Sequence, residues 1–162
     1  MKKAFSLIEL IFVIVIVGLL ASIAIPKFKN LTTHAKKAGL KSVITSIQSS
    51  VDNIHGKWII NDNFKWIGAD NQDHSSDFNY TSGYPARLDA NNGKLFSYVL
   101  KIPITPCSEK KTGCFEQIDN LTYKYYFNPS KYYQFKYFSS KGTFECNNSD
   151  ASLQKECEEN LY

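Results

Sequence analysis

The sequence predicts an α+β chain in which one long N-terminal helix packs on a small antiparallel sheet. Three observations predict it. The stretch from Leu10 to Ile25 holds nothing more polar than Gly18 and Ser22. Beyond it, apolar residues recur at steps of three and four as far as Ile54, the period of an amphipathic helix. Near the C-terminus two aromatic-rich runs flank a turn signal, as paired strands do. A chain of 162 residues, 43% apolar and 21% charged, has room for one globular domain beside such a helix. Eight Gly and five Pro exclude collagen-like and low-complexity classes.

The N-terminal run comes first. From Phe5 to Ile25 a helix rising ~1.5 Å per residue reaches about 31 Å, close to the hydrocarbon thickness of a bilayer. Lys2, Lys3 and the small residues Ser22 and Ala24 would suit a secretory signal peptide. Two residues argue against that. Glu9 lies inside the apolar run, where a signal peptide gains nothing from a carboxylate, and Pro26 lies just beyond the would-be cleavage site. A plain membrane anchor does not explain Glu9 either. A carboxylate in a membrane helix costs roughly 2.5–3.5 kcal/mol at the centre and needs a partner. Cleavage between Ala4 and Phe5 would create one, because the new amine of Phe5 lies one helical turn from Glu9.

These residues carry a family resemblance. The stretch from Lys3 to Phe28, KAFSLIELIFVIVIVGLLASIAIPKF, resembles the class III signal and first helix of type IV pilins and type II secretion pseudopilins. The resemblance implies a leader of residues 1–4, cleavage between Ala4 and Phe5 by a prepilin peptidase, N-methylation of Phe5, and Glu9 as the assembly glutamate. Gly18 and Pro26 resemble the pair between which such helices loosen in a filament, and both residue types weaken a helix. Ala4 stands where the family usually has Gly. The implied organisation is a transmembrane and assembly helix over 5–26, its amphipathic continuation over 27–54, and a periplasmic α+β domain over 55–162, pilin-like in fold.

The continuation carries Leu31, Ala35, Ala38, Val43, Ile44, Ile47, Val51 and Ile54 on its apolar positions, with Lys36, Lys37 and Lys41 as a basic patch. Such a patch is expected to be a solvated face, with anionic lipid or nucleic acid as the sharper alternative. His34 and His55 read as polar positions too far apart for a ligand pair. From Gly56 to Asn92 the sequence reads as a long loop rich in Asn, Asp, Ser and Gly. Within it, 70–77 and 89–93 offer oxygen donors that calcium would favour, but they lack the glycine and terminal Glu of an EF-hand loop. Solvated turns are the favoured reading, and no cofactor is expected. The stretch 83–88 is similar to the Tyr-Pro segment that follows the helix in pseudopilins, with a helix-like Leu95–Leu100 behind it.

Strands are expected at Leu121–Phe127, Tyr132–Phe138 and Thr143–Cys146, the first two joined by the turn Asn128, Pro129, Ser130, Lys131. Lys124, Lys131 and Lys136 interleave with aromatics there. Single-stranded nucleic-acid binders share that pattern, but core packing and edge protection account for it more simply. Cys107, Cys114, Cys146 and Cys157 all follow the apolar run, and an even number suits an oxidising compartment. Four cysteines allow three pairings. The favoured one closes the two short loops, Cys107 with Cys114 and Cys146 with Cys157. Zinc is disfavoured by both spacings.

No catalytic constellation stands out, so no enzyme is expected. The resemblance implies a structural subunit of an inner-membrane-anchored pseudopilus, single-pass, with its domain in the periplasm. Its partners would be other pseudopilin subunits, the prepilin peptidase, an inner-membrane assembly platform and a cytoplasmic ATPase. A DNA-binding subunit of a transformation system and an unpolymerised membrane-anchored binding protein are the alternatives.

Overall fold

A computed structural model describes residues 7–90 and 93–162, and for residues 26 and 28–30 the backbone alone. Helix α1 (Leu7–Ile59) leads the chain. A short 3-10 turn (Ser75–Asp77) and a two-residue hairpin, β1 (Phe78–Asn79) with β2 (Tyr84–Pro85), follow. Four strands then form an antiparallel meander in the order β3 (Cys114–Gln117), β4 (Thr122–Asn128), β5 (Lys131–Phe138), β6 (Thr143–Cys146). Helix α2 (Ala151–Leu161) closes it. The chain divides into two compact units, Met1–Lys36 and Lys37–Tyr162. The α+β class expected from the sequence is the class observed.

In the second unit the helical stripe and the sheet share one hydrophobic cluster. Leu40, Ile44, Ile47 and Val51 of α1 are buried at steps of three and four. Strand alternation sends Tyr123, Tyr125 and Phe127 of β4, and Tyr133, Phe135 and Tyr137 of β5, into the same cluster with Phe115 and Phe144. Phe135 and Phe144 stack at 5.5 Å, and Phe96 meets the edges of Phe115 and Phe144 at 5.6 Å each. Each fully buried large side chain contributes roughly 1.5–3 kcal/mol relative to exposure.

The turns follow from local chemistry. Between β4 and β5, Asn128 Oδ1 accepts from the amides of Ser130 and Lys131, both at 2.8 Å, while Pro129 fixes the first turn angle. Between β5 and β6, Gly142 sits at φ +68°, and a Cβ there would lie 2.2 Å from the Tyr84 ring. Only glycine fits that approach. Asp150 caps α2 by accepting from the amide of Leu153 at 2.9 Å.

Three expectations are corrected. The helix does not end at Ile54 but at Ile59. His55 is drawn in by stacking on Tyr84 at 4.0 Å and bonding the Gly83 carbonyl at 2.8 Å, and half-buried Trp58 packs against the core. Gly56 is therefore helical and does not open the loop. Leu95–Leu100 is not a helix: Leu95 bridges Ile104, and a single turn follows, closed by Leu100 N–H on the Phe96 carbonyl at 2.8 Å. Phe96 there holds a left-handed φ of 58°, which no helix permits. The predicted strands at 121–127 and 132–138 each lie within a residue of β4 and β5, and β6 falls where expected.

Candidate functional site

The proposed processing site, Ala4 and Phe5, lies outside the described residues. Glu9 stands in the first turn of α1 as described and is exposed. The segment Leu7–Ile25 is 19 residues long, apolar enough to cross a membrane, and none of it is buried. At ~1.5 Å per residue it spans about 28 Å. Glu9 is its single charged residue. Its one hydroxyl, that of Ser22, donates to the Leu19 carbonyl at 2.7 Å and so presents no free donor to an apolar surround.

Gly18 and Pro26 both lie within α1, which runs through them without interruption. A Cβ at Gly18 would meet nothing within 4 Å. Pro26 has no N–H, so the Ser22 carbonyl lacks its helical donor. Two weak points thus sit eight residues apart in a helix whose first half is mostly Leu, Ile, Val and Phe. The arrangement provides an exposed apolar rod, one carboxylate near its start, and a glycine and a proline within the same continuous helix.

The disulfides join Cys107 to Cys114 and Cys146 to Cys157, the pairing favoured from the sequence, and no cysteine is free. The second ties α2 to β6. Leu161 is buried beside it, and the Tyr162 hydroxyl donates to the Phe144 carbonyl at 2.6 Å. Burial, with Glu145 and Glu158 nearby, pushes that hydroxyl up to about 12.

The two suspected cation loops are otherwise engaged. Asp70 pairs with His74 at 2.9 Å, Asp73 accepts from the Ser75 amide at 2.9 Å, and Asp77 accepts from Arg87 at 2.8 Å and from the Tyr98 hydroxyl at 3.2 Å. Asp89 is buried and accepts from Tyr123, Gln117 and the Phe96 amide. This anchor of the Phe96 turn was missed from the sequence, where only its oxygen chemistry was legible. Residues 91 and 92 of the second loop lie outside the described residues. No group of three or more His, Cys, Asp or Glu suited to a metal is found among the described residues.

Several of the lysines singled out from the sequence stand near carboxylates within the domain. Lys37 lies 3.5 Å from Glu156 and donates to Asn160 at 3.0 Å, while Lys131 pairs with Glu156 at 2.8 Å. On the outer sheet face Lys124 is opposite Glu116 and Lys136 opposite Glu145, and Lys124 sits 4.4 Å from the Tyr132 ring centroid. A surface built to track a phosphate backbone would leave such cations free of carboxylates. Lys41 remains exposed.

Residues 1–25 match the family described as the prokaryotic N-terminal methylation motif. The chain is 44% identical over 48 residues to the type IV narrow pilus major component PilA5 of Thermus thermophilus, covering 30% of this chain and 41% of that protein. It is 38% identical over 65 residues to the type IV major pilin protein PilE1 of Neisseria gonorrhoeae, covering 36% of this chain and 37% of that one. A fimbrial protein of Pseudomonas aeruginosa is 33% identical over 61 residues, with coverage of 36% and 40%. The chain thus spans about two fifths of the length of the curated relatives it matches. No solved structure matches. With the motif over residues 1–25, the exposed apolar helix bearing Glu9, and the α+β fold behind it, the chain is a type IV pilin-like protein.

Proposed function

We propose that this pilin-like subunit is a membrane-anchored component of a periplasmic pseudopilus serving type II protein secretion. The observation that carries the reading is the 19-residue apolar segment of α1 whose single charge is Glu9. Cleavage between Ala4 and Phe5 gives each subunit an N-terminal amine, and Glu9 of an incoming subunit docks on the amine of its neighbour. Two unit charges ~4 Å apart at an effective dielectric of ~20 attract by roughly 4 kcal/mol, an upper bound for a partly solvated pair. Extraction from the bilayer is then offset by packing one apolar helix against others. The disulfide-closed domain suits an oxidising compartment. In this reading the prepilin peptidase, an inner-membrane platform and a cytoplasmic ATPase are the partners, and the subunit itself carries no catalysis.

A filament at the cell surface is the second reading, favoured by the pilus components among the relatives. DNA contact is less well supported, because Lys37, Lys131, Lys124 and Lys136 all face carboxylates. A deletion strain tests the choice. Loss of exoprotein release into the medium, with transformation and surface filaments intact, supports the secretion reading. Loss of transformation or of surface filaments with normal secretion contradicts it. Complementation with Glu9→Leu is expected to restore membrane abundance but not secretion.

A further inference from the structure

Four Asn-x-Ser/Thr triplets without an intervening proline occur in the chain, at Asn30, Asn79, Asn120 and Asn147. In an exported protein such triplets are acceptors for N-linked glycan when they lie on the surface. The fold separates the four. Asn30 lies inside α1. Thr122, the hydroxyl partner of Asn120, is buried. Asn79 is half-buried, its Oδ1 accepts from the amides of Thr81 and Ser82 at 3.0 and 3.2 Å, and Asp77 before it is held by Arg87.

Asn147 is built differently. Its backbone is fixed by its neighbours: its N–H donates to the Gln134 carbonyl at 2.8 Å, and Gln134 Nε2 donates to its carbonyl at 3.0 Å. Asn148 is tied to Gln134 and Gln154, and Cys146 is buried in its disulfide. The side chains of Glu145 in β6, of Asn147 just after it and of Ser149 at the bend before α2 are all exposed. The Asn147 carboxamide makes no hydrogen bond among the described residues. The segment therefore presents an exposed carboxylate at the end of β6 and an exposed carboxamide and hydroxyl between β6 and α2, with the main chain of Asn147 held at both its N–H and its carbonyl.

We propose that Asn147 is an N-glycosylation acceptor, with Ser149 as the hydroxyl the transferase binds and Glu145 as a carboxylate for a basic subsite of that enzyme. The co-reactant is an oligosaccharide on a polyprenyl diphosphate, handled by a membrane oligosaccharyltransferase. Asn147 Nδ2 attacks the anomeric carbon, and the C–N bond forms. The bond from that carbon to the diphosphate oxygen breaks, and its electron pair leaves with the polyprenyl diphosphate. One amide proton passes to a base of the transferase. The reaction needs the domain exported, as in the proposed function, but not assembled into a filament.

The test uses the full chain, produced in cells that carry such a transferase and its lipid-linked oligosaccharide beside an exported control protein with an occupied acceptor. Mass analysis of the tryptic peptide from Gly142 to Lys155 is expected to show the glycan increment. The increment is lost in Asn147→Gln and Ser149→Ala, reduced in Glu145→Gln, and unchanged in Asn79→Gln. Thiol labelling of the same sample keeps the two readings apart. Closed disulfides with a bare Asn147, or an increment that survives Ser149→Ala, would overturn the glycosylation site and leave the secretion reading standing. Free thiols with a bare Asn147 would overturn both.

Discussion

The two halves of α1 are both helical, but the first is far richer in Leu, Ile and Val, and they meet different surroundings. Ile14 and Ile16 are exposed, like every large apolar side chain described from Leu7 to Ile25, whereas Ile44 and Ile47 are buried against aromatics of the sheet domain. The difference is in the pattern. The first half is apolar all round and cannot satisfy itself within one chain; the second confines its apolar residues to one stripe and finds a partner in its own sheet. One half is a surface waiting for a bilayer or other helices. The other is the keel of a folded domain.

Paired substitutions break that comparison most directly. Ile47→Ala is expected to destabilise the domain by about 2–5 kcal/mol, as for other buried aliphatic truncations. Ile14→Ala removes the same kind of side chain from the exposed half and is expected to leave the melting temperature of the full chain in detergent unchanged. Equal effects would show that the two halves are not energetically distinct.

Next in size is the C-terminal staple. Cys157→Ser opens an 11-residue separation, and the chain-entropy model assigns such a loop about 2.5–3 kcal/mol. The domain melting temperature should fall, while membrane insertion of the Leu7–Ile25 segment stays as it was. A mutant that also fails to insert would tie the two halves together in a way the fold does not suggest.

A smaller effect sharpens the domain side. Lys131 and Tyr133, with Lys37, hold the Glu156 carboxyl below its usual range against the opposing effect of partial burial. A depressed carboxylate contributes stability above its unfolded pKa, and that contribution is lost as pH falls through the folded value. Glu156→Gln is therefore expected to cost about 1 kcal/mol at neutral pH, given the partial exposure of the pair. The gap to the wild type should close on acidification below the ordinary glutamate range. A gap that widens instead would assign the stabilisation to shape rather than charge.

How much of this was legible beforehand follows the range of the forces involved. Periodicity is local, so α1, β4, β5 and β6 could be read directly, and a carboxylate in an apolar run made Glu9 conspicuous. Helix α2 was missed although its signals are present: Asp150 as a cap, then Leu153, Cys157 and Leu161 at steps of four. Strand β3 is four residues long with mixed polarity, and only its pairing with β4 makes it a strand. Gln48 left a weaker trace. It is a polar residue on the buried stripe between Ile44 and Val51, and its Oε1 accepts from the Phe144 amide at 3.0 Å while its Nε2 donates to the Gly142 carbonyl at 2.9 Å. It closes the open edge of β6, a role that depends on a residue 96 positions away. Asp89 had no trace beyond its charge, because the Tyr123, Gln117 and Phe96 groups that need it converge only in the fold.

The central claim is that the exposed half of α1 is a processed assembly element rather than a discarded signal or an inert anchor. N-terminal sequencing and intact mass of the protein recovered from membranes test it most directly. The expected mature chain begins at Phe5, carries one added methyl group on its amine, and keeps Glu9, Gly18 and Pro26. A chain beginning at Ile25 would identify the apolar run as a signal peptide, and an uncut chain beginning at Met1 would leave Glu9 without its partner. Either result would contradict the account.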